Sequence, residues 1–187
     1  HSPKPSAMHL SFRSERPQDY TAVEQLIAAA FRDEVYSDQN EHRLVARLRQ
    51  SPAFIPELSI VAEVDGQLVG HALLTRIAIE GADRRFPSLA LAPISVAPTW
   101  QRRGIGGRTI EEAHRVAQDL GHDSVVVLGH ADYYPRFGYE RASRYGIVLP
   151  FEVPEENAMV RALREGGLTG VAGRVIYPAA FYLGEEG

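Results

Sequence analysis

A loop rich in glycine and arginine joins an apolar segment to an amphipathic segment near the middle of the chain. The apolar run from Leu89 to Val96 predicts a strand, and Thr109 to Leu120 places its apolar residues on one helical face. Residues 96–108, Val-Ala-Pro-Thr-Trp-Gln-Arg-Arg-Gly-Ile-Gly-Gly-Arg, connect the two. The first N–H groups of a helix lack partners within it, and glycines let a ligand approach them closely. The junction therefore predicts a phosphate-binding site at a helix N-terminus.

The loop differs from two common phosphate-binding motifs. A P-loop ends in Lys followed by Ser or Thr, whereas the only lysine of this chain is Lys4. A dinucleotide fingerprint needs a small residue where Thr109 stands and an acidic residue at the end of the next strand, but Asp123 precedes that strand. On these residues alone, a glycine-rich turn with solvated arginines stays open as the alternative.

Periodicity along the rest of the chain predicts an α/β fold, of the α+β type, with one mixed sheet. Asp65-Gly66 between two apolar runs favours a tight primed hairpin turn. Pro93 cannot donate to a sheet ladder, so we expect a bulge there. The predicted elements are strand 10–13, helix 17–31, helix 40–49, strands 59–64, 67–79 and 88–96, helix 109–120, strand 124–128, helix 131–137, strand 139–149, helix 155–164 and strand 173–177.

Length and composition narrow the classes of protein that the chain can belong to. We expect a leader or remnant at residues 1–7, then one domain over 8–187 that includes a C-terminal extension from about 150. The absence of cysteine excludes disulfides, thiolate metal sites and a cysteine nucleophile, and it predicts a cytoplasmic protein. The net charge of −4 and the lack of a long apolar run argue against nucleic-acid and membrane partners.

The six residues Gln101 to Gly106, Gln-Arg-Arg-Gly-Ile-Gly, closely resemble the pyrophosphate-binding signature of the GNAT superfamily of acyl-CoA-dependent N-acyltransferases. The predicted element order from about Leu10 to Leu149 is also similar to the GNAT fold. The resemblance implies a mostly antiparallel sheet, flanked by helices and splayed at the cofactor cleft, and acetyl-CoA as the cofactor. The residues that it assigns to cofactor binding are Ile94, Ser95, Val96, Gln101, Arg102, Arg103, Gly104, Ile105, Gly106, Gly107, Arg108, Tyr133 and Phe137.

A second segment, Tyr133 to Tyr139, resembles the tyrosine-containing segment of the same family. Tyr134 stands four residues before Gly138, and the resemblance implies that it is the general acid. A phenol of pKa about 10 can donate to a developing thiolate whose thiol has a pKa of about 8.5. The alternative is a tyrosine that packs its small helix against the sheet, and the adjacent Tyr133 leaves the assignment open.

The general base and the acceptor site have weaker signals. His130 and Asp132 follow the 124–128 strand near the expected cleft and are the candidate bases, although capping or solvent exposure would explain them equally. Asp33, Glu34 and Tyr36 are the candidate acceptor contacts, because carboxylates attract a cationic amine; a solvated helix end is the alternative. The remaining histidines lack metal-ligand spacing, so no metal is expected.

These observations predict an acetyl-CoA-dependent N-acetyltransferase. Its acceptor would be a primary amine of a small molecule or peptide, and transfer would be direct within a ternary complex. The tail from Arg174 to Phe181 is similar to the bacterial YhbS-like branch of predicted acetyltransferases, and the family resemblance allows a homodimer. A non-catalytic acyl-CoA sensor on the same fold is the alternative. Binding of DNA through the arginine loop is disfavoured by the acidic net charge.

Overall fold

The computed structural model describes residues 9–182, and the expected leader at 1–7 lies outside this range. The described chain forms a nine-stranded mixed sheet and three α-helices. In chain order they are β1 Leu10–Ser14, α1 Tyr20–Phe31, α2 Glu41–Arg49, β2 Ser59–Val64, β3 Gln67–Glu80, β4 Arg85–Val96, α3 Ile105–Asp119, β5 Ser124–Leu128, β6 Glu140–Arg141, β7 Ile147–Val148, β8 Ala158–Ala162 and β9 Gly173–Ile176. None of these helices is long and apolar enough to cross a bilayer.

The sheet is mostly antiparallel, as predicted. Its strand order is β1-β2-β3-β4-β5-β8-β6, and β9 pairs with both β3 and β7. The β4–β5 and β7–β9 pairs are parallel. β8 and β9, which follow residue 150, therefore belong to the same sheet as the earlier strands.

Helices cover both faces of the sheet. α3 lies on one face, where Ile110 is buried in one cluster with Leu74 of β3. α1 and α2 lie on the opposite face, where Ile27 and Leu48 are buried with Leu73. Successive side chains of a strand point to opposite faces, so the adjacent residues Leu73 and Leu74 anchor different layers. This layering leaves the ends of the central strands as the place where a ligand can enter.

The central strands β4 and β5 separate toward their carboxyl ends. They pair only at Leu89–Val125 and Ala90–Val126, although β4 continues to Val96. The expected bulge is confirmed: Leu91 is opposite Leu74 and Ile94 is opposite Ala72, so Ala92 and Pro93 interrupt the β3–β4 register. Beyond this interruption the β4 backbone has no β5 partner, which produces the splayed cleft that the fold class predicts.

Two other local predictions are confirmed in detail. Asp65 and Gly66 have φ values of +50° and +80°, which is the pair of positive angles that a type I′ hairpin turn requires. The phosphate-loop helix was predicted from Thr109, but it begins at Ile105. The glycines at 106 and 107 weaken the helical pattern in sequence, yet they lie inside the first turn.

The prediction for the segment 131–164 is wrong in three places. Residues 139–149 are not one strand, because β6 and β7 are separated by a 3₁₀ turn that ends at Gly146 with φ +69°. Residues 155–164 are not a helix: a 3₁₀ turn at Glu155–Asn157 leads into β8, which pairs with β5. The small helix predicted at 131–137 is a 3₁₀ turn over Tyr134–Phe137. Pairing with β5 overrides the local helical charge pattern of 155–164.

A buried polar chain ties α2 to the face of the sheet that carries α1. Arg49 Nη2 lies 2.6 Å from Glu15 Oε2, and both side chains are at most 4% exposed. Ser59 Oγ donates to Glu15 Oε1 at 2.9 Å and lies 2.9 Å from His71 Nε2. Because the hydroxyl proton of Ser59 goes to the carboxylate, His71 Nε2–H must donate to Ser59 Oγ. His71 is therefore a neutral imidazole whose lone pair is on Nδ1.

We expect His71 to make the fold sensitive to mild acid. Burial, and then the charge of Arg49, lower the pKa of His71 to about 3. At pH 5 the unfolded chain therefore binds more protons at this position than the folded chain. The resulting stability is present above the unfolded pKa of about 6.5 and is lost as pH falls toward 3. Between pH 7 and pH 5 His71 should lower the free energy of unfolding by about 2 kcal/mol.

Urea unfolding at pH 7 and pH 5 measures this effect. His71→Gln keeps a donor for Ser59 and should flatten the pH dependence, whatever it does to stability at pH 7. His114, whose pKa is also lowered to about 3, retains part of the dependence. His130→Gln changes an exposed histidine and is the matched control. An unchanged slope in His71→Gln would contradict the assignment.

Candidate active site

The N-terminus of α3 offers unpaired backbone donors. The first helical bond of α3 joins Arg108 N to Gly104 O at 3.2 Å, so the N–H groups of Ile105, Gly106 and Gly107 have no partner within the helix. No side chain caps these groups, and Gly104 precedes them in the left-handed region with φ +78°. The side chain of Ile105 is buried, so this residue offers a ligand only its backbone. The geometry is that of an anion-binding helix end.

Two aromatic side chains form a wall beside this helix end. A Cβ atom on Gly107 would lie 3.0 Å from Phe137 Cζ, so only glycine allows this close packing. The corresponding atom on Gly106 would lie 3.5 Å from the Tyr133 hydroxyl. The rings of Tyr133 and Phe137 meet edge to face at 5.2 Å. The structure thus brings the predicted residues Gly106, Gly107, Tyr133 and Phe137 together.

The predicted arginines surround the same helix end. Arg102, Arg103 and Arg108 are exposed, and none of them forms an ion pair in the described part of the chain. Arg103 lies over the Trp100 ring at 4.8 Å, whereas Gln101 Nε2 donates to Val96 O at 3.1 Å. Three guanidinium groups without carboxylate partners add positive charge to the dipole of α3.

The end of β4 presents further backbone donors to the cleft. Ala97 N donates to Val69 O at 2.8 Å, so the 69–97 pair is hydrogen-bonded. In an antiparallel ladder bonded and non-bonded pairs alternate, and the next non-bonded pairs are Gly70–Val96 and Ala72–Ile94. The N–H groups of Val96 and Ile94 therefore point away from β3, toward the gap beside β5. Ser95 lies between them with a buried side chain that is 3% exposed.

Tyr134 lies beside this gap with a buried ring. The residue is 7% exposed, and its hydroxyl forms no hydrogen bond with any residue between 9 and 182. Burial, and then Tyr133, raise the pKa of Tyr134 to about 12, so its hydroxyl keeps its proton at neutral pH. A Cβ atom on Gly129 would lie 2.3 Å from the ring. Gly129 therefore fixes the position of Tyr134, and sequence reasoning missed this role because the two residues meet only through the loop geometry.

The candidate bases and acceptor contacts are less enclosed. His130 and Asp132 are exposed in the turn between β5 and Tyr134, where their carbonyl groups accept bonds from Tyr133 N and Arg136 Nη2. The candidate acceptor contacts lie between α1 and α2; all are exposed, Tyr36 to 97%. They are Asp33, Glu34 and Tyr36. Within residues 9–182, no three His, Asp or Glu side chains are grouped to hold a metal ion.

Comparison with known proteins identifies the class. Residues 11–142 match the family described as the acetyltransferase (GNAT) domain. The chain therefore belongs to the GNAT acetyltransferases, a family of acetyl-CoA-dependent N-acetyltransferases. It is 35% identical over 150 residues to YjhQ, an uncharacterized N-acetyltransferase of Escherichia coli K12, and the match covers 80% of each protein.

Two solved structures share the whole architecture. The GNAT family N-acetyltransferase YhbS of Escherichia coli in complex with CoA superposes with a TM-score of 0.84 and 26% identity, covering 97% of this chain and 96% of that one. A GNAT family acetyltransferase of Brucella melitensis in complex with acetyl-CoA gives a TM-score of 0.74 and 34% identity, covering 94% and 99%. The splayed mixed sheet with its flanking helices is thus the GNAT fold.

Proposed function

We propose that this chain transfers the acetyl group of acetyl-CoA directly to a primary amine of a small molecule or peptide. The observation that carries the proposal is the cleft itself: an uncapped helix N-terminus, unpaired β4 amides and the hydroxyl of Tyr134 border one gap in the sheet. The relatives solved with CoA and acetyl-CoA share this fold over nearly their full length. Both halves of a transfer site are then supplied by one domain, which we place at residues 8–187.

The residues of the cleft fit the charge and shape of acetyl-CoA. Its diphosphate would be held by the N–H groups of Ile105, Gly106 and Gly107, with Arg102, Arg103 and Arg108 adding charge-assisted bonds. The amides at Ile94 and Val96 would hold the pantetheine arm, because amide groups of that arm can complete the missing strand pairing. Gln101 fixes the carbonyl of Val96, whereas Tyr133 and Phe137 close the outer wall.

When bound, acetyl-CoA supplies an activated acyl group as a thioester. The chain's part is to align the amine with that group and to stabilise charge, which accounts for much of the barrier reduction in acyl transfer. Val96 N–H is placed to donate to the developing oxyanion. Tyr134 Oη donates its hydrogen bond to the leaving sulfur; its raised pKa of about 12 makes it a persistent donor.

The acceptor amine must lose a proton before it attacks. We propose His130 or Asp132 as the group that receives this proton, because both are exposed at the end of β5 where the strands separate. Asp33, Glu34 and Tyr36 would meet the acceptor from the α1–α2 segment. The carboxylates at 33 and 34 favour a cationic acceptor.

Calorimetric titration with acetyl-CoA, with NAD as the control ligand, tests the cofactor site. We expect stoichiometric binding of acetyl-CoA and no binding of NAD. A screen of primary amines that detects released CoA then tests the reaction. Binding with no CoA release from any amine would favour the alternative, a non-catalytic acyl-CoA sensor. Failure of a folded sample to bind acetyl-CoA would reject the proposed function.

A further inference from the structure

A second cavity lies beside α3, on the other side of Phe137 from the phosphate loop. Its volume is about 340 Å³. Glu111, His114, Arg115, Arg136, Phe137 and Arg161 are among its lining residues. The cavity is mainly polar and contains three guanidinium groups, which is unusual for a space of this size.

Two of the three guanidinium groups lack a carboxylate partner. Arg115 is paired with Glu112 at 2.5 Å and with Asp119 at 2.8 Å. Arg136 donates only to the carbonyls of Asp132 and Tyr133, which fix its position without neutralising its charge. Arg161 has no ion pair within residues 9–182, and its Nη1 atom is buried without a hydrogen-bond partner.

The remaining polar groups do not neutralise these two charges. His114 lies 2.7 Å from the Tyr139 hydroxyl, and burial, followed by the charge of Arg161, lowers the pKa of His114 to about 3. It is therefore a neutral imidazole at physiological pH. Glu111 is the exposed carboxylate at the rim of the cavity. A buried guanidinium without a partner is costly, so the cavity is suited to an anion that Arg136 and Arg161 bind together.

The cavity adjoins the proposed cofactor groove. Phe137 packs against Gly107 in the first turn of α3 and also lines the cavity. Gly107, Glu111, His114 and Gln118 follow one another at helical spacing, so one face of α3 runs from the phosphate loop into the cavity. Arg136 lies over the Tyr133 ring at 4.8 Å, and the Tyr133 hydroxyl faces Gly106. The two sites are thus neighbours along one groove.

We propose that this cavity binds the 3′-phosphate on the ribose of coenzyme A. The 3′-phosphate and the diphosphate are attached to the same ribose, so they must bind close together, as the loop and the cavity allow. A phosphomonoester carries nearly two negative charges at pH 7 and three acceptor oxygens, which match two guanidinium forks. The inference rests on the proposed function, and it adds that this chain distinguishes coenzyme A from its dephosphorylated form.

Acetyl-CoA and acetyl-dephospho-CoA differ only in this phosphate, so calorimetric titration with both ligands tests the proposal. The unaltered chain should bind acetyl-CoA about 10- to 100-fold more tightly, as expected for charge-assisted bonds to a phosphate. Arg136→Gln should lower the affinity for acetyl-CoA about 10-fold and leave that for acetyl-dephospho-CoA unchanged. Glu111→Gln should raise the affinity for acetyl-CoA. Arg144→Gln, which removes an exposed arginine paired with Glu140, is the matched control.

The remaining arms separate the possible outcomes. Inorganic phosphate should compete with acetyl-CoA and leave acetyl-dephospho-CoA binding unaffected; phosphate binding that competes with neither ligand would overturn the proposal in favour of a separate anion site. Equal affinity for the two ligands would overturn it, as would equal loss of both in Arg136→Gln. Arg161→Gln is the second variant, interpreted only if its circular dichroism is that of the folded chain. If neither ligand binds, the proposed function itself has failed.

Discussion

Gly106→Asp should weaken acetyl-CoA binding by about 1,000-fold while leaving the fold intact. The substitution places a carboxylate among the N–H groups that we assign to the diphosphate, and juxtaposed like charges cost several kcal/mol. An acidic residue in the first turn interacts favourably with the helix dipole, so the thermal midpoint should not fall. Affinity measured by calorimetry and the midpoint measured by circular dichroism together separate lost binding from lost folding.

Gly106→Ala is the matched control for this prediction. An added Cβ would lie 3.5 Å from the Tyr133 hydroxyl and from Val96 Cγ2, which is ordinary contact. The alanine variant should therefore lose less than about 10-fold in affinity, since it removes no donor and adds no charge. Equal losses in the two variants would show that shape, not charge, limits binding at this position. Unchanged affinity in Gly106→Asp would remove the helix end from the cofactor site.

Tyr134→Phe should lower kcat by about 100-fold, the lower part of the range for general acid catalysis. Its affinity for acetyl-CoA should stay within about 3-fold, because the ring remains and only the proposed contact with the leaving sulfur is lost. The hydroxyl bonds to no described residue, so the substitution leaves no protein group unpaired. Steady-state kinetics with an amine found in the screen, together with calorimetry, measures both quantities.

Tyr133→Phe provides the comparison that distinguishes the two adjacent tyrosines. Its hydroxyl faces Gly106 beside the helix end, so its removal should change acetyl-CoA affinity more than kcat. If Tyr133→Phe, and not Tyr134→Phe, reduced kcat, the assignment of the acid would be reversed. Full activity in both variants would mean that solvent protonates the leaving group.

Local sequence patterns predicted the parts of the fold whose geometry is itself local. The hairpin turn at Asp65-Gly66, the bulge at Pro93 and the phosphate loop all depend on backbone preferences of a few neighbouring residues. The segment 155–164 was predicted incorrectly because its strand is specified by pairing with β5, about thirty residues earlier in the chain. Local charge spacing carries no information about such a partner.

The candidate site divides in the same way. The loop donors were predictable because they belong to one helix end, and the splayed cleft followed from the family resemblance. Contacts between distant residues were not predictable: Gly129 against Tyr134 depends on a folded turn, and Arg161 approaches Arg136 only after β8 joins the sheet. His71 was assigned only to core or surface, since its partners Ser59 and Glu15 come from other strands and turns.

The interruption of β4 at Pro93 separates two tasks that a transferase must perform. Most donors offered to the cofactor are peptide groups exposed by the parting of β4 and β5, and peptide groups are the same whatever side chains the residues carry. Side chains on the α1–α2 segment can therefore be exchanged to accept a different amine without rebuilding the cofactor cleft. Engineering of acceptor choice should accordingly begin at residues 32–40, with the backbone around Pro93 left untouched.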